Sequence, residues 1–185
     1  MLEIRWHSRA GQGAVTGAKG LAEVVSTTGK HVQAFAFYGS AKRGAAMTAY
    51  NRVDDAVIMN HEKYMRPDYV LVIDPALVYV ADITANEKEE TVYIVTTHMS
   101  TEELVASQPK LQGKKVFTVD CIKIAQETIG RAIPNTPMLG ALMKVSGMYD
   151  IEFFKDAMVR GLKKLPQKII DANMIAIQRA YDEVK

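Results

Sequence analysis

Residues 2–29 read LEIRWHSRAGQGAVTGAKGLAEVVSTTG, and this stretch decides the fold. Leu2, Ile4 and Trp6 alternate with Glu3 and Arg5, a period of two that predicts a strand over Met1–Trp6. HSRAGQG follows as a turn, with glycine at 11 and 13. Val15, Ala18, Ala22 and Val25 then recur at helical spacing until Gly29, a natural stop. Strand, glycine turn and helix in this order open a unit of alternating α and β elements.

The rest of the chain continues the alternation. His31–Phe35 and Met47–Val53 read as strands on either side of the loop YGSAKRGAA. Tyr69–Ile73 is a near-continuous apolar run ending at Asp74-Pro75, as expected of a strand buried on both faces. Thr91–Thr97 and Lys114–Val119 are further strands. Ser100 and Glu103 form a capping box that opens a helix. Asp120 caps the next helix, with Ile122, Ala125 and Ile129 on its inner face. Pro134 and Pro137 mark a break, after which the chain is helical. Ile170, Met174, Ile177, Tyr181 and Val184 form one apolar stripe on the last helix. The expected fold is α/β: residues 1–185 as a single domain, a largely parallel sheet flanked by helices in a Rossmann-like three-layer arrangement, and a helical C-terminus.

Composition narrows the function. The net charge is +2 and no basic run occurs, which argues against nucleic acid as a partner. No apolar run reaches the roughly 18 residues that a membrane helix needs, so no membrane partner is expected either. The N-terminus lacks a hydrophobic signal core, and the expectation is a soluble, cytoplasmic protein. Cys121 is the single cysteine, so the chain forms no internal disulfide and cannot supply the set of thiolates that an iron–sulfur cluster takes. It reads as a small buried hydrophobe, since no second cysteine or histidine is at hand to activate it. His7, His31, His61 and His98 have no metal-pair spacing, so no metal site is expected. His7 reads as a half-buried loop residue beside the glycine turn. Met138, Met143, Met158 and Met174 fall at helical apolar positions, in the core or at an interface.

Two segments carry candidate chemistry. Glycine at 11 and 13 lets the backbone turn tightly, and free N–H groups at the following helix start attract anions. A phosphate would suit this turn, with Arg9 adding charge, although a tight turn that binds nothing is an equally simple reading. The dinucleotide fingerprint is not met. Its third glycine would come one position before Gly17, and the second strand ends in Ala34-Phe35 without the acidic residue that holds a ribose. The other segment, Tyr38–Gly44, places Lys42 and Arg43 between small residues, where the two can grip a phosphate or lie in a solvated loop. Asp74, at the end of a buried strand, reads as a ligand group or as a turn and helix cap.

Taken together, GQGAVTGAKGLAEV (residues 11–24) and FAFYGSAKRGAAMTAYNRV (residues 35–53) resemble the two signature segments of the gamma chain of pyruvate and related 2-oxoacid:ferredoxin oxidoreductases. The resemblance runs on through VLVIDPALV to about Lys185, and departs at Ala10, where glycine is common. It implies a subunit of a complex that converts pyruvate, CoA and oxidised ferredoxin to acetyl-CoA, CO2 and reduced ferredoxin. It implies alpha, beta and delta partner subunits, with ferredoxin met only indirectly. Thiamine diphosphate with magnesium and the iron–sulfur clusters would sit on those subunits, and this chain would hold no catalytic residue. Arg9, Gly11, Gln12, Gly13, Ser40, Lys42, Arg43 and Gly44 become candidate contacts to the CoA phosphates. Open alternatives are a stand-alone nucleotide- or phosphate-binding module, and the small subunit of an indolepyruvate- or 2-oxoisovalerate-type enzyme.

Overall fold

A computed structural model describes residues 1–39, 44–60, 62 and 65–185. Strand β1 (Leu2–Arg9) lies in the middle of a six-stranded sheet of order β2-β3-β1-β4-β5-β6. On one side β4 (Tyr69–Val72), β5 (Val92–Thr96) and β6 (Lys115–Val119) run parallel to it. On the other side β3 (Ala46–Asp54) runs antiparallel to both β1 and β2 (His31–Tyr38). The sheet is therefore mixed, with β3 alone reversed. The physical reason is chain length: residues 39–45 suffice for a hairpin, whereas a parallel return needs a crossover.

The first strand is longer than its alternation suggested. His7, Ser8 and Arg9 pair with Thr48, Met47 and Ala46, so three of the seven expected turn residues are strand. Helix α1 (Ala14–Ser26) then crosses one face of the sheet to reach β2. The same face is covered by α4 (Cys121–Thr128), α5 (Asn135–Ser146), α6 (Ile151–Leu162) and α7 (Gln167–Glu183). Ile4, Trp6, Leu71, Ile94 and Val119 from the sheet meet Leu21, Ile124, Leu142, Phe154 and Ile177 from these helices in one core. Met138, Met143 and Met158 are buried in it and Met174 packs on it. Gly140 sets the approach of α5 to α7, because a Cβ there would stand 2.0 Å from the Ile177 carbonyl oxygen.

Alternation sends the intervening residues to the opposite face. Val70, Val72, Tyr93, Val95 and Val116 pack there beneath α2 (Leu77–Val80), α3 (Thr101–Ser107) and the 3-10 turn Pro109–Leu111. Over β4–β6 the architecture is three-layered. The β1–β3 half of this face is polar instead, and irregular segments cover it. Arg52 forms a buried ion pair with Glu3 (3.0 Å) and donates to the carbonyls of Asn60 (3.0 Å) and Glu62 (2.5 Å). Arg5 donates to the carbonyls of Ala85 (2.7 Å) and Ile83 (2.8 Å). Buried charges need such partners, and here they anchor Asn60, Glu62, Ile83 and Ala85 on the sheet.

The helix ends follow the sequence cues. The Ser100 hydroxyl accepts from the Glu103 N–H and the Glu103 carboxylate accepts from the Ser100 N–H, the full capping box. Asp120 accepts from the Lys123 N–H at 3.0 Å. Two local expectations need correction. Cys121, Ile124 and Ala125 form the buried face of α4, and Ile122 and Ile129 are only half-buried. Pro137 lies inside the first turn of α5, where proline's missing N–H costs nothing. The short helix α2 follows Asp74-Pro75, in line with the turn and helix-cap reading of Asp74.

Candidate functional site

The end of β1, the end of β4 and the start of β3 meet at the carboxyl-terminal edge of the sheet. Chain connections leave in opposite directions from β1 and β4, and α/β sheets bind ligands at such a switch point. Gly11 (φ 97°) and Gly13 (φ 86°) take left-handed conformations that carry the chain from β1 into α1. Gly13 has a second constraint. A Cβ there would stand 2.8 Å from Cγ of Asn135, which packs against the turn from the start of α5. Gly17 serves packing, because a Cβ there would come within 3.1 Å of the Trp6 ring.

Gln12 is the hub of the turn. Its Oε1 accepts from the Arg9 N–H (2.8 Å) and the Ser8 hydroxyl (3.2 Å), and its Nε2 donates to Asp74 Oδ2 (2.7 Å). Arg9 forms an ion pair through Nε with the same Asp74 oxygen (3.1 Å), and donates from Nη1 to the Gly44 carbonyl (3.1 Å). Asp74 Oδ1 accepts from the Ala76 N–H at 2.9 Å, an Asx turn that opens α2. The Ala10 N–H donates to the Ala45 carbonyl at 3.3 Å. This network draws Arg9, Gln12, Gly11, Gly13 and Gly44 together around Asp74. The Arg9 charge is thereby balanced inside the protein, and its side chain remains 35% exposed.

Asp74 thus has both a turn role and an electrostatic one. Its link to Arg9 and Gln12 was not legible from spacing, although an Asp-Pro pair closing a buried strand marked the position. Asn135 carried no cue at all. Gly44 has φ 78° and sits against Arg9. Ser40, Lys42 and Arg43 lie outside the described residues, as does His61.

His7 is not a loop residue. It lies on β1 and is 6% exposed; burial, with the Arg5 charge nearby, pushes its imidazole down to about 3. Neutral at ordinary pH, it lines an open cavity of about 400 Å3 with Phe37, Tyr38, Gly39, Thr48 and Ala81. Cys121 is fully buried, and burial pushes its thiol up to about 12, so it is no nucleophile. Among the described residues, no three His, Cys, Asp or Glu side chains cluster as metal ligands would, and no helix is long and apolar enough to cross a membrane.

The family model described as pyruvate ferredoxin/flavodoxin oxidoreductase matches residues 3–183. The chain is 43% identical over 184 residues to the pyruvate synthase subunit PorC of Thermotoga maritima, spanning 99% of this chain and 94% of that one. It is 44% identical over 185 residues to the pyruvate/ketoisovalerate oxidoreductases common subunit gamma of Pyrococcus furiosus, spanning 100% and 98%. The crystal structure of the T. maritima pyruvate oxidoreductase subunit PORC superposes with a TM-score of 0.84 at 40% identity, covering 100% of this chain and 97% of that chain. The 2-oxoglutarate:ferredoxin oxidoreductase of Magnetococcus marinus superposes with a TM-score of 0.77 at 14% identity, covering 98% of this chain and 30% of that chain, a likeness of fold alone.

Proposed function

The chain belongs to the pyruvate ferredoxin/flavodoxin oxidoreductase family and is a gamma-type subunit of a 2-oxoacid:ferredoxin oxidoreductase; within that enzyme we propose that it holds the phosphates of CoA and helps to assemble the complex. The observation that supports this reading is the convergence of the glycine turn, Arg9 and Gly44 at the switch point of the sheet. The N–H groups opening α1 lie in that turn, and Lys42 and Arg43 directly precede Gly44 in sequence. A pyrophosphate or a 3′-phosphate matches such a combination of main-chain donors and side-chain cations.

In the reaction so assigned, pyruvate loses CO2, its acyl group passes to the CoA thiol, and the electrons released reduce ferredoxin. Thiamine diphosphate with magnesium would supply the decarboxylation chemistry and clusters the electron path, both from the alpha, beta and delta subunits. The donor set of this chain does not fit a cluster: its only cysteine is buried, with its thiol held protonated. Its own residues would bind and orient. Asp74 and Gln12 hold the turn in shape, Arg9 keeps Gly44 against it, and Lys42-Arg43 would add positive charge. The expected setting is the cytoplasm.

The 2-oxoacid is set by the partner subunits. One relative bears a name that joins pyruvate with ketoisovalerate, which favours a gamma chain that can serve more than one such enzyme. The test is kinetic. In the purified complex, Lys42→Gln with Arg43→Gln should raise the KM for CoA about tenfold or more, for two phosphate contacts of roughly 1 kcal/mol each. The KM for the 2-oxoacid should stay unchanged. A CoA dependence identical to wild type would overturn the assignment.

A further inference from the structure

The two edges of the sheet are finished differently. On β6, Thr118 exchanges both main-chain hydrogen bonds with Lys185, at 2.8 and 3.0 Å, and Lys115 sets an exposed charge on the strand. β2 has neither protection. His31–Tyr38 contains no Lys, Arg, Asp, Glu or Pro, and its register with β3 is unbroken across all eight residues, so no bulge bends it away. Among the described residues, no main-chain group outside the sheet bonds to the main chain of residues 34–38. An edge of this kind is an open template for another strand. A groove of about 350 Å3, lined by the consecutive residues Gln33 to Phe37, runs along it. Phe37 and Tyr38 are exposed on the strand. Val57 and Met59 are exposed on the neighbouring segment, which Gln33 holds by donating to the Ile58 carbonyl at 3.1 Å.

We propose that β2 is an interface between two copies of this chain, pairing antiparallel with itself across a twofold axis and joining the two six-stranded sheets into one. The strand selects its occupant by chemistry. A charged strand would bury its charges against the uncharged row of β2. The fitting partner is an uncharged extended segment of similar length. β2 itself meets each requirement, and twofold symmetry makes the pairing antiparallel without further conditions. Beside the His31 end, the Met1 ammonium pairs with Asp54 and Lys30 with Asp55. A pairing centred on Phe35 sets Gln33 opposite Phe37 of the other copy. It extends the stack of Phe35 on Tyr50 (5.1 Å) and the edge contact of Phe35 with Phe37 (5.9 Å) across the axis. A single eight-residue strand pair buries less than a standard interface, so the association should be weak and concentration-dependent.

The test uses the purified full chain. Light scattering on a sizing column, from about 1 to several hundred μM, should show the mass rising from 20.5 kDa toward twice that value. Amide exchange at residues 31–38 should slow over the same range. Phe37→Lys and Tyr38→Lys, at exposed positions, should hold the mass at one copy with an unchanged circular dichroism spectrum. A wild-type mass of one copy throughout would overturn the proposal. So would a dimer whose β2 amides gain no protection, which would place the contact elsewhere. Slowing of the β2 amides only when the other subunits of the enzyme are added would assign this edge to one of them and refute self-pairing.

Discussion

Gln12 Nε2 donates to Asp74 Oδ2 at 2.7 Å, across 62 residues of sequence. This bond ties the turn after β1 to the turn after β4, the two ends that flank the switch point of the sheet. Asp74 also holds Arg9, so one carboxylate carries the shape of the candidate site.

Replacing Gln12 by Ala removes this bond and the two that Oε1 accepts, and should cost about 1–3 kcal/mol in urea denaturation. Gln12→Glu keeps the shape but sets a second carboxylate against Asp74, and should cost more than the alanine change. Asp74→Asn in the same chain gives the pair a donor again and should recover at least half of that extra loss. Additive single effects would show that the two residues do not act as a pair.

Gly11 and Gly13 share a left-handed backbone but not their surroundings. Gly11→Ala meets open space and should cost roughly 1 kcal/mol, the left-handed strain alone. Gly13→Ala adds the collision with Asn135 and should cost clearly more. Asn135→Ala removes the two closest atoms and should bring the Gly13→Ala cost down toward that of Gly11→Ala. Equal costs for the two glycine substitutions would mean that α5 does not press on the turn.

His7 makes stability depend on pH. Its folded-state pKa of about 3 lies below an unfolded value of about 6.5, so the unfolded chain binds the proton first. The stability from keeping this imidazole neutral is fully present above about pH 6.5. It is lost as pH falls toward the folded value, by up to about 1.4 kcal/mol per unit. His7→Leu should flatten the pH profile of the urea midpoint between pH 6.5 and 4. A profile as steep as wild type would assign the acid sensitivity to other groups.

Short-range physics made much of this protein legible. Glycine at 11 and 13 between an alternating and a helical segment revealed the strand–turn–helix unit, because only glycine takes those backbone angles freely. The capping box at Ser100 and the stripe around Ile170 and Ile177 are local patterns too, and both hold. The paired order of two motifs, which neither motif carries alone, pointed to the family. What stayed hidden were pairings set by distance in space. Nothing near Asp74 in sequence names Gln12 or Arg9, nothing near Gly13 names Asn135, and nothing in the alternation of β1 shows that His7 is buried on the strand. Sequence by itself determined the strand–turn–helix opening, the capping box and the apolar stripe of the last helix, since propensity and periodicity act within a few residues. Only the tertiary structure decided that β3 runs against its neighbours, that the Arg9 charge is balanced internally and that, among the described residues, no further strand pairs with the outer edge of β2. Those outcomes depend on which strands become neighbours, and that is settled by the packing of the whole chain.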